Sequence, residues 1–271
     1  MENKKKLLLI DGSSVAYRAF LHCIIRLIVL KTVLVCIPMH LRFSPHAQSF
    51  IRKSSTNTRL VAFDAGKTTF RTEMYKDYKA GRAKTPDEFR EQLPYIREML
   101  SALGITFYDL ENYEADDIIG TLDKLAENED EYDVTIVSGD KDLIQLADNN
   151  TTVEISKKGV AEFEEFTPAY LMEKMGITPK QFIDLKALMG DKSDNIPGVT
   201  KIGEKTGLKL LLEYGSLEGV YENIDGMKKS KMKENLINDK EQAFLSKTWR
   251  LSISVHRLPL VWTTSTIKDQ I

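Results

Sequence analysis

Cysteine is almost missing from this chain of 271 residues: Cys23 and Cys36 are the only two, at no metal-ligand spacing and too few for a disulfide framework. The expected setting is therefore a reducing cytoplasm. Histidine is nearly as scarce, and His22, His40, His46 and His256 form no ligand set, which disfavours zinc. No Gly-x-Ser-x-Gly elbow occurs, so serine-hydrolase chemistry has no visible nucleophile. Gly66-Lys67-Thr68 resembles the end of a phosphate-binding loop, but Val61 stands where the upstream glycine is needed. Asp11-Gly12-Ser13 lacks the second aspartate that an aspartyl-phosphate phosphatase carries two residues on. An excess of one charge is missing too, with 38 Lys and Arg against 40 Asp and Glu. That balance permits a partner of either sign. No leader peptide is expected, because the apolar run after Lys6 stops at Asp11. The apolar stretch Leu21–Leu41 contains Arg26, Lys31 and Pro38, so no membrane span is expected. Acidic residues are wholly absent from Gly12 through Phe63.

What is present is a repeated unit of a short apolar run followed by an aspartate. Lys6–Ile10 ends in Asp11, Leu60–Phe63 ends in Asp64, and Val134–Val137 leads into Ser138-Gly139-Asp140-Lys141-Asp142. Each reads as a buried strand with an acid at its C-terminal end. Thr85-Pro86-Asp87-Glu88 reads as a capping box opening a helix that runs to Gly104, kinked at Pro94. Ile105–Leu110 is strand-like, Glu114–Ala126 is a helix, and another helix follows Asp142. Strands alternating with helices predict an α/β fold with a mostly parallel sheet. From Thr167 only helices are expected, beginning with the cap-plus-proline starts Thr167-Pro168 and Thr178-Pro179. The expected boundaries are thus a sheet domain over 1–166, a helical unit over 167–248 and a tail over 249–271.

Nine acids form the candidate metal set: Asp11, Asp64, Glu114, Asp116, Asp117, Asp140, Asp142, Asp191 and Asp194. In a parallel sheet, strand C-termini share one edge, so the segments carrying these acids can converge. Carboxylates gathered this way need cations, and all-oxygen donors select hard ions such as Mg²⁺ or Mn²⁺. Two such ions can activate water against a phosphodiester and stabilise the departing oxygen. Singly, each acid has a plainer reading, as a turn former or as a partner of a helix dipole. Jointly, that reading requires five separate coincidences.

Two further segments carry candidate contacts with a nucleic acid. Lys67, Arg71, Lys79 and Arg82 can meet phosphates, with Lys79, Arg82 and Arg71 the candidates to act at the reacting phosphate. Tyr75 and Tyr78 lie between them and can stack on an unpaired base. Gly198-Val199-Thr200-Lys201-Ile202-Gly203, followed by Glu204 and Lys205, reads as a glycine-rich hairpin between helices. Its backbone N–H groups suit a phosphate without regard to base sequence.

Together Leu9-Ile10-Asp11-Gly12-Ser13-Ser14, Ala62–Arg71, Tyr113–Asp117, Ser138–Asp142 and Met189–Val199 resemble the 5′-nuclease domain of bacterial DNA polymerase I, within the flap-endonuclease family. The resemblance implies a PIN-like mostly parallel sheet flanked by helices, a helical arch, and a C-terminal helix–three-turn–helix unit that grips duplex DNA and holds K⁺. It implies two Mg²⁺ or Mn²⁺ ions on all nine acids. It also implies a monomer that hydrolyses 5′ flaps and nicked ends of branched or nicked duplex DNA during primer removal, with the polymerase portion outside this chain. Competing expectations are a PIN-like ribonuclease and a DNA-binding polypeptide without catalysis. Between Leu21 and about Arg59, and from Trp249 on, the resemblance stops. Codons can be chosen for Val33–His40 whose neighbouring frame reads Phe-Gly-Leu-His-Thr-Asn-Ala, close to the family's wording. The expectation is a shifted reading frame that removes a helix from one sheet face, leaving a chain of reduced stability and little activity.

Overall fold

The structure is a computed structural model that describes residues 4–29, 58–129, 132–158 and 162–251. A six-stranded sheet forms its centre, in the order β3-β2-β1-β4-β5-β6. The strands are β1 (Lys5–Asp11), β2 (Thr58–Thr69), β3 (Thr106–Asn112), β4 (Tyr132–Ser138), β5 (Thr151–Lys158) and β6 (Glu162–Phe166). All neighbours are parallel except β6, which runs antiparallel to β5 at one edge. In β1, Leu7, Leu8 and Leu9 are all buried, as a central parallel strand covered on both faces requires. Leu9 pairs with Leu60 on one side and Ile136 on the other, so Asp11 ends level with Ala62.

One face packs on α5 (Ala115–Glu129) through Ile118, Ile119, Leu122 and Ala126. The opposite face packs on α1 (Gly12–Val29) through Val15, Ala16, Ala19 and Phe20. A Cβ at Gly12 would lie 2.6 Å from Val61 and 2.7 Å from Phe63, so this helix can start against the sheet only with glycine there. Helix α1 continues through Val29, but the residues that cover this face, Val15–Phe20, precede the segment expected to have lost a helix, so that expectation is not decided by α1. The remainder of the divergent segment, 30–57, lies outside the described residues.

Other elements differ from expectation in ways that local chemistry explains. Thr85 does not cap; the turn α3 (Asp87–Arg90) begins after Pro86 with no side-chain cap. Pro94 splits the helical run rather than kinking it, taking an early position in α4 (Leu93–Ala102), where its missing N–H costs nothing. Lys141–Leu146 is 3₁₀ rather than α-helical, opened by Asp140, whose carboxylate accepts from Asp142 N. The edge hairpin β5–β6 was not anticipated. Between the strands and α3 lies the short α2 (Phe70–Met74).

The C-terminal half is helical, as expected: α6 (Pro168–Met175), α7 (Pro179–Met189), α8 (Glu204–Tyr214), α9 (Leu217–Glu222), α10 (Lys231–Asn238) and α11 (Lys240–Leu251). Thr167 and Thr178 cap α6 and α7, each accepting from the backbone three residues on. Leu143 and Ile144 share one core cluster with Leu185, Leu188 and Leu210, so the helices pack directly onto the sheet domain. Trp249, the first residue of the expected tail, is instead part of α11 and is 3% exposed. Among the described residues no helix is long and apolar enough to cross a membrane.

Candidate active site

The strand order puts the C-terminal ends of β1, β2 and β4 side by side. Asp11 closes β1, and Asp64 lies within β2 where that strand bends away from β3. Asp140 follows β4, and Asp116 sits in the first turn of α5. These acids border a cavity of about 900 Å³, with Glu114 beside them. Arg18, Lys79, Arg82, Lys84, Arg90 and Arg97 line the same cavity.

Backbone and hydroxyl donors fix the acids. Ser14 N donates to Asp11 Oδ1 at 2.9 Å and Ser138 Oγ to Asp11 Oδ2 at 2.6 Å. Ser138 Oγ also accepts from Asp140 N at 2.8 Å, so one hydroxyl ties two strand ends together. Ala115 N donates to Asp64 Oδ1 at 2.9 Å, coupling β2 to the start of α5. Burial raises the Asp11 carboxyl to about 7, aided by the charges of Asp64 and Asp140 and opposed by the Ser138 and Ser14 hydrogen bonds. Asp140 is raised to about 6, first by burial and then by Asp142. Burial also pushes Asp116 well above the carboxylate range, with Asp140, Asp11 and Glu114 adding to the shift. These acids come from separate segments and line one cavity, close enough for each to oppose ionisation of the others.

The outer acids are matched to cations of the chain itself. Glu114 Oε1 meets Lys79 Nζ at 2.7 Å and its Oε2 accepts from the Tyr78 hydroxyl at 3.1 Å. Asp194 is paired with Arg82, and Lys79 N donates to the Asp194 carbonyl at 2.8 Å. Lys186 of α7 bridges Asp142 at 2.9 Å and Asp191 at 2.8 Å. Burial weakens the charge on Lys79, but Glu114 outweighs that loss, and the ammonium's pKa ends above its usual value. As the side chains stand, no three acids among the described residues gather into a single ligand set.

Five candidates occupy other roles in this arrangement. Arg71 is 3% exposed, and its two terminal nitrogens each donate to Asp117 at 2.6 Å, so it faces no phosphate. Asp117 is correspondingly spent on Arg71 and on Glu114 N, a buried bidentate pair that fixes the entry to α5. Tyr78 is 6% exposed, with its ring against Trp249, and offers no face to a base. Tyr75 is half-buried on the same tryptophan. Backbone atoms of Gly190 lie 2.1 Å from where a Cβ on Gly198 would stand, so that glycine serves a close approach within the chain. Lys201 is exposed at the tip of the hairpin with φ +64°, and Gly203 and Lys205 follow it into α8. The Lys67 side chain lies outside the described residues.

Sequence reasoning missed Ser138, Arg18 and Lys186. Ser138 was visible as the residue before Gly139-Asp140. Arg18 donates to the Ser156 carbonyl at 3.1 Å and to Gly139 O, contacts that no sequence spacing announces. The same holds for Lys186, which meets Asp142 only through the packing of α7.

A parallel sheet whose strand ends deliver acids into a cation-walled cavity, with a helical unit beside it, defines a nuclease-type architecture. The family described as "5′-3′ exonuclease, N-terminal resolvase-like domain" matches residues 6–176, and "5′-3′ exonuclease, C-terminal SAM fold" matches 177–266. The chain belongs to this 5′-3′ exonuclease family. DNA polymerase I of Streptococcus pneumoniae serotype 4 is 72% identical over 250 residues, covering 91% of this chain and 28% of that protein. DNA polymerase I of Bacillus caldotenax is 51% identical over 248 residues, covering 90% and 27%. The chain therefore spans a little over a quarter of the curated relatives it matches. The T5 5′-exonuclease with bound zinc superposes with a TM-score of 0.75 at 25% identity, covering 92% of this chain and 90% of that one. The catalytic core of Rad2 in complex with DNA shares the fold at a TM-score of 0.57 and 16% identity, covering 91% and 78%.

Proposed function

We propose that the chain is a divalent-metal-dependent 5′-3′ exonuclease and flap endonuclease that acts where duplex DNA carries a 5′ single strand. The observation that carries this reading is the convergence of Asp11, Asp116 and Asp140 from separate segments on one cavity, their carboxyls raised by burial and by neighbouring charges, with Lys79 and Arg82 in the same lining. Either protons or cations must discharge such a set, and its all-oxygen donors fit Mg²⁺ or Mn²⁺. Zinc bound to the T5 5′-exonuclease supports a divalent ion without fixing which one.

Asp11, Asp64, Glu114, Asp116, Asp140, Asp142, Asp191 and Asp194 are the residues that would hold the ions, with Asp117 acting through Arg71. When bound, two such ions supply an ionised water and charge for the attacking and leaving oxygens. Ser138 and the N–H groups of Ser14 and Ala115 hold the inner carboxylates in place beforehand. Lys79 and Arg82 stand on one segment over the acids and bring positive charge to the scissile phosphate. Arg18, Lys84, Arg90 and Arg97 line the path for the 5′ strand. The hairpin 198–203 and Lys205 grip the duplex backbone, and its carbonyls are the place for a K⁺ ion. Primer removal and repair in the cytoplasm are the processes that supply such ends.

A 5′-labelled flap incubated with excess protein tests the reading. With Mg²⁺ or Mn²⁺ a short labelled fragment should appear, and with chelator none should. Asp140→Ala and Asp116→Ala should each slow cleavage at least a hundredfold while flap affinity stays within about threefold, since a lost ligand removes transition-state stabilisation. Cleavage within a few fold of the parent in both variants would refute the assignment.

A further inference from the structure

Trp249, the residue at which the sequence alone placed the start of a tail, lies within the matched range 177–266, and its ring reaches back to the candidate active site. Its centroid is 4.9 Å from the Tyr75 ring and 5.7 Å from the Tyr78 ring, with interplanar angles of 59° and 68°. Ile196, from the loop that carries Asp194, completes the cluster. The segment these rings anchor is the one that bears Lys79 and Arg82.

That segment is held in a conformation it would not adopt alone. Lys79 has φ +57° and Asn195 opposite it φ +56°, backbone values that side-chain-bearing residues rarely adopt. Lys79 N donates to the Asp194 carbonyl at 2.8 Å, and Asn195 Nδ2 donates to the Asp77 carbonyl at 2.8 Å. Strain of this kind persists only where the surroundings over-determine it. Two cross-loop hydrogen bonds supply part of that restraint, and the tryptophan, 3% exposed, supplies an apolar floor for the rest. Resting on that floor, Tyr78 directs its hydroxyl to Glu114, and the Lys79 ammonium sits 5.0 Å over the Tyr78 ring while meeting Glu114.

We propose that Trp249 is a positioning residue for Lys79 and Arg82: through Tyr75 and Tyr78 it holds their segment against the acid-lined cavity. Trp249 packs on Tyr75, Tyr78 and Ile196, and its effect on Lys79 and Arg82 passes through these contacts. The inference rests on the nuclease reading for its kinetic consequence, and on packing alone for its structural one.

The test uses the full chain with Trp249→Ala and Trp249→Phe, and reads two quantities. The first is limited trypsin cleavage after Lys76, Lys79 and Arg82. Trp249→Ala should speed it at least tenfold, and Trp249→Phe should return it to within threefold of the parent, because a smaller ring still fills much of the floor. The second is single-turnover flap cleavage at saturating DNA and Mg²⁺. Trp249→Ala should lower that rate at least tenfold with flap affinity changed less than threefold, again with rescue by phenylalanine. Unchanged proteolysis in Trp249→Ala overturns the proposal. So does acceleration at every tryptic site alike, which would mark general unfolding. A parent chain that cuts no flap would refute the nuclease reading, and the proteolysis arm would still decide this one.

Discussion

Asp123 shows how a buried acid outside the cavity can shape the stability of this protein. It is 6% exposed on α5, and Thr151 Oγ1 donates to its Oδ1 at 2.7 Å. Burial raises its pKa to about 7, with Asp148 and Glu127 adding and Thr151 and Lys124 opposing. A carboxyl of ordinary pKa near 3.9 in the unfolded chain then binds its proton more tightly when folded. The stability it contributes is fully present below about pH 4 and is lost as pH rises toward 7. Over that window the loss is on the order of 4 kcal/mol. Asp123→Asn keeps the acceptor for Thr151 and removes the titration. Thermal melts should therefore show the variant gaining on the parent from pH 4.5 to 7 and melting several degrees higher at pH 8. A constant difference across that range would show that Asp123 is ionised in the folded protein. At this scale the inner acids of the site were legible, because an aspartate after an apolar run has few other uses when the pattern recurs. Arg71 was not, since its spacing from the tyrosines fits a solvated face equally well and only the fold puts Asp117 beside it.

Among the elements, the hairpin between α7 and α8 is the one whose sequence and geometry agree most closely. Val199 N donates to Leu188 O, Thr200 N to Asp239, and Asn235 Nδ2 to the Thr200 carbonyl. Helix α7, α10 and the residue that follows α10 thus hold the loop, leaving Lys201 exposed at its tip. Lys201→Ala should weaken binding to all duplex sequences alike and reduce the slope of log affinity against log salt by about one. An unchanged slope would place Lys201 away from the phosphates. The strands that deliver acids were readable from their unbroken apolar runs. The β5–β6 edge was overlooked although Thr151, Val153 and Ile155 alternate inward in β5, because β6 (Glu162–Phe166) is short and mostly charged. Helix α1 was overlooked for another reason: Gly12-Ser13-Ser14 reads as a turn, and Asp11 serves both as the acid and as the acceptor for Ser14 N.

For the whole molecule, we propose that the segment 21–59 limits performance. The catalytic candidates lie outside it: Asp11 precedes it and Asp64 and the rest follow it. Helix α1 buries Val15, Ala16, Ala19 and Phe20, so the sheet face is not left bare. The apolar residues further along are not patterned for one face, and Cys-, Val- and Ile-rich runs invite aggregation. A chain with the neighbouring frame restored over 21–59 and from 249 on should melt higher and cleave flaps faster. Each further large apolar side chain buried is worth about 1.5–3 kcal/mol, against a whole-domain stability of about 5–15 kcal/mol. Equal melting temperatures and equal rates for the two chains would show that the divergent segment packs as well as the family's own.

Calorimetric titration of Mn²⁺ into the chain without DNA measures the cavity itself, apart from turnover. Acids raised to about 7 at Asp11 and about 6 at Asp140 must surrender protons as a cation binds. The account predicts saturable binding that tightens as pH rises from 6 to 8 and releases protons into the buffer, weakened at least tenfold in Asp116→Ala and Asp140→Ala. Binding of equal affinity in parent and variants, or none at millimolar Mn²⁺, would contradict a metal-dependent nuclease site at these strand ends.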